Sequence, residues 1–325
     1  MRKLTPFIVV TLILTLGVLS AAAQPKKIAL SARISWAPGS EGSTVDRDFA
    51  VMQHFSLDDE YLRYMLQEWG YFPILMVDYV VQYMLNEGQI PFPPADDADY
   101  GPWVDDGAYM NYPTFFQDEG YKLLWNTGTC WSTIGPAVKN LPLPVIQGEH
   151  ANVGSRSNKL GSTFIFNGDQ SGDISGDGAQ SITLTDAGKT HELTKDLPAE
   201  IVIYGDGPSG PPENTGQAWQ GIYDLVDNAG EGTKVLAVWT SDPTKSAIAV
   251  VEAGDALADG TKAPARRVMP FCGGGNVRPV NEAGHPTQWV VIYDYMTPAG
   301  KAVLHRCVQW ALGETPTAVA DWGNQ

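Results

Sequence analysis

Basic residues are scarce in this 325-residue chain: 21 Lys and Arg stand against 37 Asp and Glu, for a net charge of −16. A surface of that sign repels a phosphate backbone, which excludes nucleic acid as a partner. The scarcity is sharpest between Arg63 and Lys122, where neither Lys nor Arg occurs. Cysteine is rare as well, and the three present, Cys130, Cys272 and Cys307, permit at most one internal disulfide. A scaffold built on disulfides is therefore ruled out, although Cys130 and Cys272 both follow strand-like runs and are the pair able to bond. Beyond the N-terminus no run is apolar for long enough to cross a bilayer as a helix.

The N-terminus itself reads as a secretory signal peptide over residues 1–23. Arg2 and Lys3 supply the basic start, Phe7 to Leu19 the apolar stretch, and Ala21 to Ala23 the small residues before Gln24. The expected location is outside the cytoplasm: secreted, periplasmic or on the cell surface. The leader carries two basic residues and no acid, so its removal makes the mature chain more acidic still. Such a charge fits solubility in an extracellular setting, with cation binding as the lesser reading. The roughly 300 residues that remain allow one large α/β domain or two small ones.

Lys26 to Arg33 predicts a first strand. Ser56 is placed to cap a helix with Asp58, Asp59 and Glu60 in its first turn, where acids suit the helix dipole. Tyr61, Leu62, Met65, Leu66 and Trp69 keep helical spacing, and Gly70 ends the helix before a second strand, Tyr71 to Val77. Strand, helix, strand in this order is the unit of a parallel sheet. Further strands are expected at Tyr121 to Trp125, Leu143 to Gln147, Thr163 to Phe166, Ile201 to Tyr204, Val235 to Trp239, Ala247 to Val251, Val268 to Phe271 and Trp289 to Tyr293. Thr297 and Pro298 open a last helix that Gly313 stops. Residues 314–325 read as a linker or frayed tail. Residues 89–118 form a long acidic, aromatic insertion whose middle, Gln89 to Pro113, is too rich in Pro and Gly for a regular element and too aromatic for disorder, which predicts an ordered loop over one edge of the sheet.

The stretch Leu143 to His150 places a short buried strand ahead of a tight turn at Gly148, with Glu149 and His150 side by side on the turn. Glu149 has the chemistry of a general base or of a nucleophile toward a sugar carbon, with His150 as acid or orienting partner. The plainer alternative is a turn-capping glutamate beside a polar loop histidine. Glu282 and His285 sit in a loop that, in a parallel sheet, returns to the same edge, where they complete an acid–base pair or a metal site, or are simply solvated. Asp169, Asp173 and Asp177 recur with period four among glycines, either a solvated, turn-rich loop or a hard-oxygen set suited to Ca²⁺ that does not keep EF-hand order. Trp36, Trp103, Tyr109 and Trp131 are candidates to stack on sugar rings, or core and loop packing residues.

Three segments together carry a resemblance. Pro144 to Glu149 is similar to the strand-to-elbow signature of class I glutamine amidotransferase-like domains. Thr185 to Leu193, followed by Leu197-Pro198, looks like a segment of the trehalose-utilisation (ThuA-like) branch of that superfamily. Arg267 to Phe271 and the helix Thr297 to Gly313 resemble that branch's last strand and terminal helix. Together they span most of residues 24–313. The resemblance implies an α/β, flavodoxin-like three-layer sandwich with a mostly parallel central sheet and a site at the carboxyl ends of its strands, in accord with the strand–helix order. It does not carry glutamine hydrolysis across: Glu149 stands at the nucleophile position, where glutaminases have Cys, Ala151 replaces a Gly, and Glu192 follows His191 where relatives have Pro. Cys130 lies one strand–helix unit too early to substitute. The expected function is thus carbohydrate binding or carbohydrate chemistry, with glycans or cell-surface components as partners. The alternative is a non-catalytic extracellular assembly module, contacting partners or itself through the insertion.

Overall fold

The structure is a computed structural model that describes residues 24–32, 34–35, 54–55, 57–85, 114–130, 138–149, 153, 165–167, 172–175, 179–205, 220–272, 293 and 295–318. In chain order the strands are β1 (Lys27–Ala32), β2 (Ile34–Ser35), β3 (His54–Phe55), β4 (Phe72–Val77), β5 (Tyr121–Asn126), β6 (Val145–Gln147), β7 (Gly172–Ser175), β8 (Gln180–Leu184), β9 (Glu200–Tyr204), β10 (Gln220–Tyr223), β11 (Thr233–Trp239), β12 (Asp242–Val251) and β13 (Arg267–Met269). The helices are α1 (Leu57–Glu68), α2 (Asp78–Leu85), α3 (Phe115–Asp118), α4 (Asp186–Thr190) and α5 (Pro298–Ala311), with a 3₁₀ turn at Val226–Asn228.

Nine of the described strands form one sheet in the order β4-β1-β5-β6-β13-β12-β11-β8-β9. The first five run parallel, and every pairing from β13 onward to β9 is antiparallel. The molecule is therefore α/β, but its sheet is mixed rather than mostly parallel. The reason is visible at β11 and β12, which only Thr240 and Ser241 separate. A parallel crossover needs a dozen or more residues, so a two-residue connection forces a hairpin. Strands β8, β7 and β10 were not expected, and Gly172–Ser175 pairs with β10 in place of the continuous loop that its Gly-Asp repeat suggests. Ile174 is buried there, and any Cβ at Gly172 would meet the Tyr223 hydroxyl at 2.9 Å and its ring carbons at 3.1 Å. Of the expected strand over residues 163–166, only Ile165 and Phe166 are among the described residues, and Phe166 bridges to Ala229; the expected strand over residues 289–293 lies outside the described residues except for Tyr293.

Two apolar layers flank the sheet. Leu30, Trp125 and Ile146, in register with one another, face the layer that receives Leu62, Met65 and Leu66 of α1 and Val303, Leu304 and Val308 of α5. Ala29, Leu124 and Val145, one residue earlier on each strand, face the other layer, with Val81 of α2 and Phe116 of α3. Alternation along fully buried strands is what gives each residue its face. The expected stops hold: Gly70 and Gly313 adopt φ of 86° and 69°, which side-chain-bearing residues avoid. Thr297 caps α5 by accepting a hydrogen bond from the Gly300 amide at 3.0 Å. Among the described residues no helix is long and apolar enough to cross a membrane.

Candidate functional site

Three neighbouring parallel strands carry a polar residue at or next to their carboxyl ends. Ser31 of β1 is opposite Asn126 of β5, and Asn126 is opposite Gln147 of β6. These positions lie two residues beyond Ala29, Leu124 and Val145, so all three side chains face the layer that holds α2 and α3. Asp78 continues from β4 as the first residue of α2 and is fully buried. After β5 the chain turns sharply: the Thr127 amide donates to the Ser31 carbonyl, and the Cys130 amide to the Thr127 carbonyl. After β6 the Gly148 amide donates to the Asn126 carbonyl at 2.8 Å. A Cβ on Gly148 would stand 3.0 Å from that carbonyl and 3.2 Å from Trp125 Nε1, so the elbow needs glycine for close approach.

Glu149 follows at this edge, 8% exposed. Asp59 comes from the first turn of α1, 2% exposed, and accepts a hydrogen bond from Thr129 Oγ1 at 2.8 Å. The first-turn acids of α1 are thus not all solvated dipole partners: Asp58 and Asp59 are buried, and Asp59 is tied to the turn after β5. Cys130 records the crowding of acids. Burial first, then Asp78, Glu149 and Asp59, push its thiol well above the usual range, against the pull of Ser31, whose hydroxyl is 3.7 Å from its sulfur. A thiol so held is protonated and unreactive at neutral pH. Across the sheet, burial raises the phenols of Tyr204 and Tyr293, with Cys272 and Asp58 adding to the effect. The three cysteines are unbonded thiols, with Cys130 in one layer and Cys272 and Cys307 in the other.

Asn126 and Gln147 are the unusual members of the site. Both are fully buried, and neither the carbonyl oxygen nor the nitrogen of either amide has a hydrogen-bond partner among the described residues. An unpaired buried polar group costs about 1–3 kcal/mol, so a fold does not accumulate four such atoms in neighbouring side chains for stability. What the row can do is hydrogen-bond a ligand that both donates and accepts, beside the carboxylates of Glu149, Asp59 and Asp78.

Of the residues singled out from sequence, Glu149 is in this site. Asp173 is in β7, a strand of the small β7–β10 ribbon. His150, Glu282, His285, Trp36, Trp103, Tyr109, Trp131, Asp169 and Asp177 lie outside the described residues, as do residues 1–23 and 86–113. Among the described residues no group of three or more His, Cys, Asp or Glu is placed to hold a metal ion. The segment Thr185 to Leu193 is at the opposite edge of the sheet: Thr185 accepts from the Gly188 amide to cap α4, and His191 lies 3.7 Å from Glu252 and against Trp310. Sequence reasoning missed Asp59, Asp78, Asn126 and Gln147. For Asp78, Asn126 and Gln147 the signal was a polar residue ending, or directly following, an apolar buried strand; Asp59, in the first turn of α1, carried no such signal.

No family model matches the chain, and no curated protein matches it. Among solved structures it is similar to one titled "Crystal structure of SMU.1228c", at 12% identity and a TM-score of 0.38, over 89% of this chain and 100% of that one. A likeness at that score carries no argument about fold or activity.

Proposed function

We propose that the chain is an exported, ThuA-like member of the amidotransferase-like superfamily that has no glutaminase nucleophile and binds or modifies carbohydrate at the carboxyl edge of its parallel strands. The observation that carries this reading is the pair of fully buried amides, Asn126 and Gln147, unpartnered beside Glu149. Sugar hydroxyls donate and accept at once, which suits primary amides flanked by carboxylates. The spatial order of the five parallel strands across the sheet, second-first-third-fourth-fifth in the sequence, supports a flavodoxin-like arrangement, and ligands of such sheets sit outside the carboxyl ends of the strands. Against glutamine hydrolysis stand a glutamate at the elbow and a buried Cys130 whose thiol is held protonated.

In this reading Glu149 is the residue of chemistry, as base or nucleophile, while Asn126 and Gln147 orient the sugar. A glycan array probed with the mature protein and with Glu149→Gln tests it. Array signal that drops with the variant supports the reading, and signal unchanged by it removes Glu149 from the site. An array without any signal favours the assembly module.

A further inference from the structure

A second site lies on the other face of the sheet. A groove of about 730 Å³ opens between α1 and α5, in the range of small-molecule sites, with Tyr61, Tyr64, Glu68 and Trp69 on one wall and Lys301 and His305 on the other. Its aromatic rings are only partly used by the protein. Trp69 stacks on His305 at 4.4 Å and 11°, and no other ring contact to this indole occurs among the described residues. Tyr64 is 57% exposed with the Arg63 guanidinium 4.3 Å from the ring centroid, which leaves the rest of the ring to solvent.

The polar groups are placed beside these rings. Lys301 Nζ donates to the Tyr61 hydroxyl at 3.0 Å. His305 is 9% exposed; its Nε2 is 3.5 Å from the Tyr71 hydroxyl, and its Nδ1 has no hydrogen-bond partner among the described residues. A wholly apolar ligand would leave Nδ1 and the two remaining donors of the Lys301 ammonium unanswered, and a small ion would leave the rings uncovered. A pyranose ring presents a C–H face to an aromatic and a rim of hydroxyls to polar neighbours, so it meets both demands.

We propose that the α1–α5 groove is a saccharide subsite that takes a neutral pyranose unit, distinct from the strand-edge site and independent of Glu149. The test is titration with cellobiose, maltose and chitobiose, followed by tryptophan fluorescence and by ligand-observed NMR, on wild type, Tyr64→Ala, Lys301→Gln and Glu149→Gln. At least one disaccharide is expected to bind wild type. Binding should weaken about tenfold in Tyr64→Ala, as loss of a stacking ring does, and also in Lys301→Gln, but should stay unchanged in Glu149→Gln. Because Tyr64 is exposed, its removal leaves the melting temperature in place, which separates lost binding from lost fold. Failure of all three sugars to bind wild type overturns the proposal, as does equal affinity in Tyr64→Ala. Binding abolished by Glu149→Gln and untouched by Tyr64→Ala sinks the groove while leaving the strand-edge reading standing.

Discussion

Arg267 is the residue whose replacement should cost the fold most per atom removed. It is fully buried at the start of β13, and its guanidinium donates to five backbone carbonyls: Leu143, Ala265 and Arg266 from Nη1, and Lys139 and Leu141 from Nη2, at 2.8–3.1 Å. Burial alone pulls its pKa down from 12.5 to about 9, which at 1.36 kcal/mol per unit is a penalty of about 5 kcal/mol. The two nitrogens carry four hydrogens, one of them shared between two carbonyls, and four charge-assisted bonds at about 2 kcal/mol each return about 8 kcal/mol, a net gain of about 3 kcal/mol. Arg267→Met keeps the volume and leaves the carbonyls without their donor, so urea unfolding should show a loss of about 3 kcal/mol with an unchanged m value. Arg267→Lys should recover only part, since one ammonium cannot span both carbonyl sets. A Met variant within about 0.5 kcal/mol of wild type, within the scatter of neutral substitutions, refutes the reasoning. Three of the carbonyls belong to Lys139, Leu141 and Leu143, the segment that feeds β6, so the Met variant should also weaken glycan binding at Glu149, at the far end of that strand.

Other consequences are measurable. Gly148→Ala puts a methyl 3.0 Å from the Asn126 carbonyl, and it should destabilise by about 1–3 kcal/mol by urea unfolding and abolish array binding. Burial holds His305 at about 4 against an ordinary 6.5, partly opposed by Glu314, so the unfolded chain binds the extra proton between these values. Stability is then full above pH 6.5 and falls as pH drops toward about 4; His305→Phe should flatten that slope in a pH series of melts, and an unchanged slope assigns it elsewhere. Titration with a thiol reagent should find no fast-reacting cysteine in the native protein and three after denaturation without reductant, whereas a count of one in denaturant would reveal a disulfide.

The parallel half was legible because buried parallel strands are continuous apolar runs joined by helices with marked ends. Thr297 and Gly313 bound α5 as expected, and Gly70 ends the helical segment of α1. The antiparallel half was harder. β8 reads Gln-Ser-Ile-Thr-Leu, with only Ile182 and Leu184 buried, and nothing in so short an alternation separates it from a polar loop. The sign of a strand pairing is set by connection length, and β12 begins at Asp242, five residues before its apolar run, so the two-residue turn was hidden. At the site, Glu149 stood out through its glycine elbow. Asp59 did not, because an acid in a first helical turn is commonplace; only tertiary packing decides that it meets Thr129 and not water.

The two edges of the sheet treat polar atoms in opposite ways, and that contrast yields the sharpest test. At the amino edge Arg267 satisfies five carbonyls, the arrangement expected of a group kept for stability. At the carboxyl edge Gln147, opposite Asn126, keeps both amide atoms unpaired and fully buried, an arrangement that stability alone would remove. Sites of function commonly carry such costs, and replacing their residues tends to stabilise the fold at the expense of activity. Gln147→Met keeps the length of the side chain and removes the unpaired atoms, so it should raise stability by about 1–2 kcal/mol in urea unfolding while glycan binding disappears. Gln147→Glu, which keeps the shape and adds a charge beside Glu149 and Cys130, should destabilise instead. If the Met variant is less stable than wild type, the amide was already satisfied in the free protein, and the inference that it waits for a ligand falls with it.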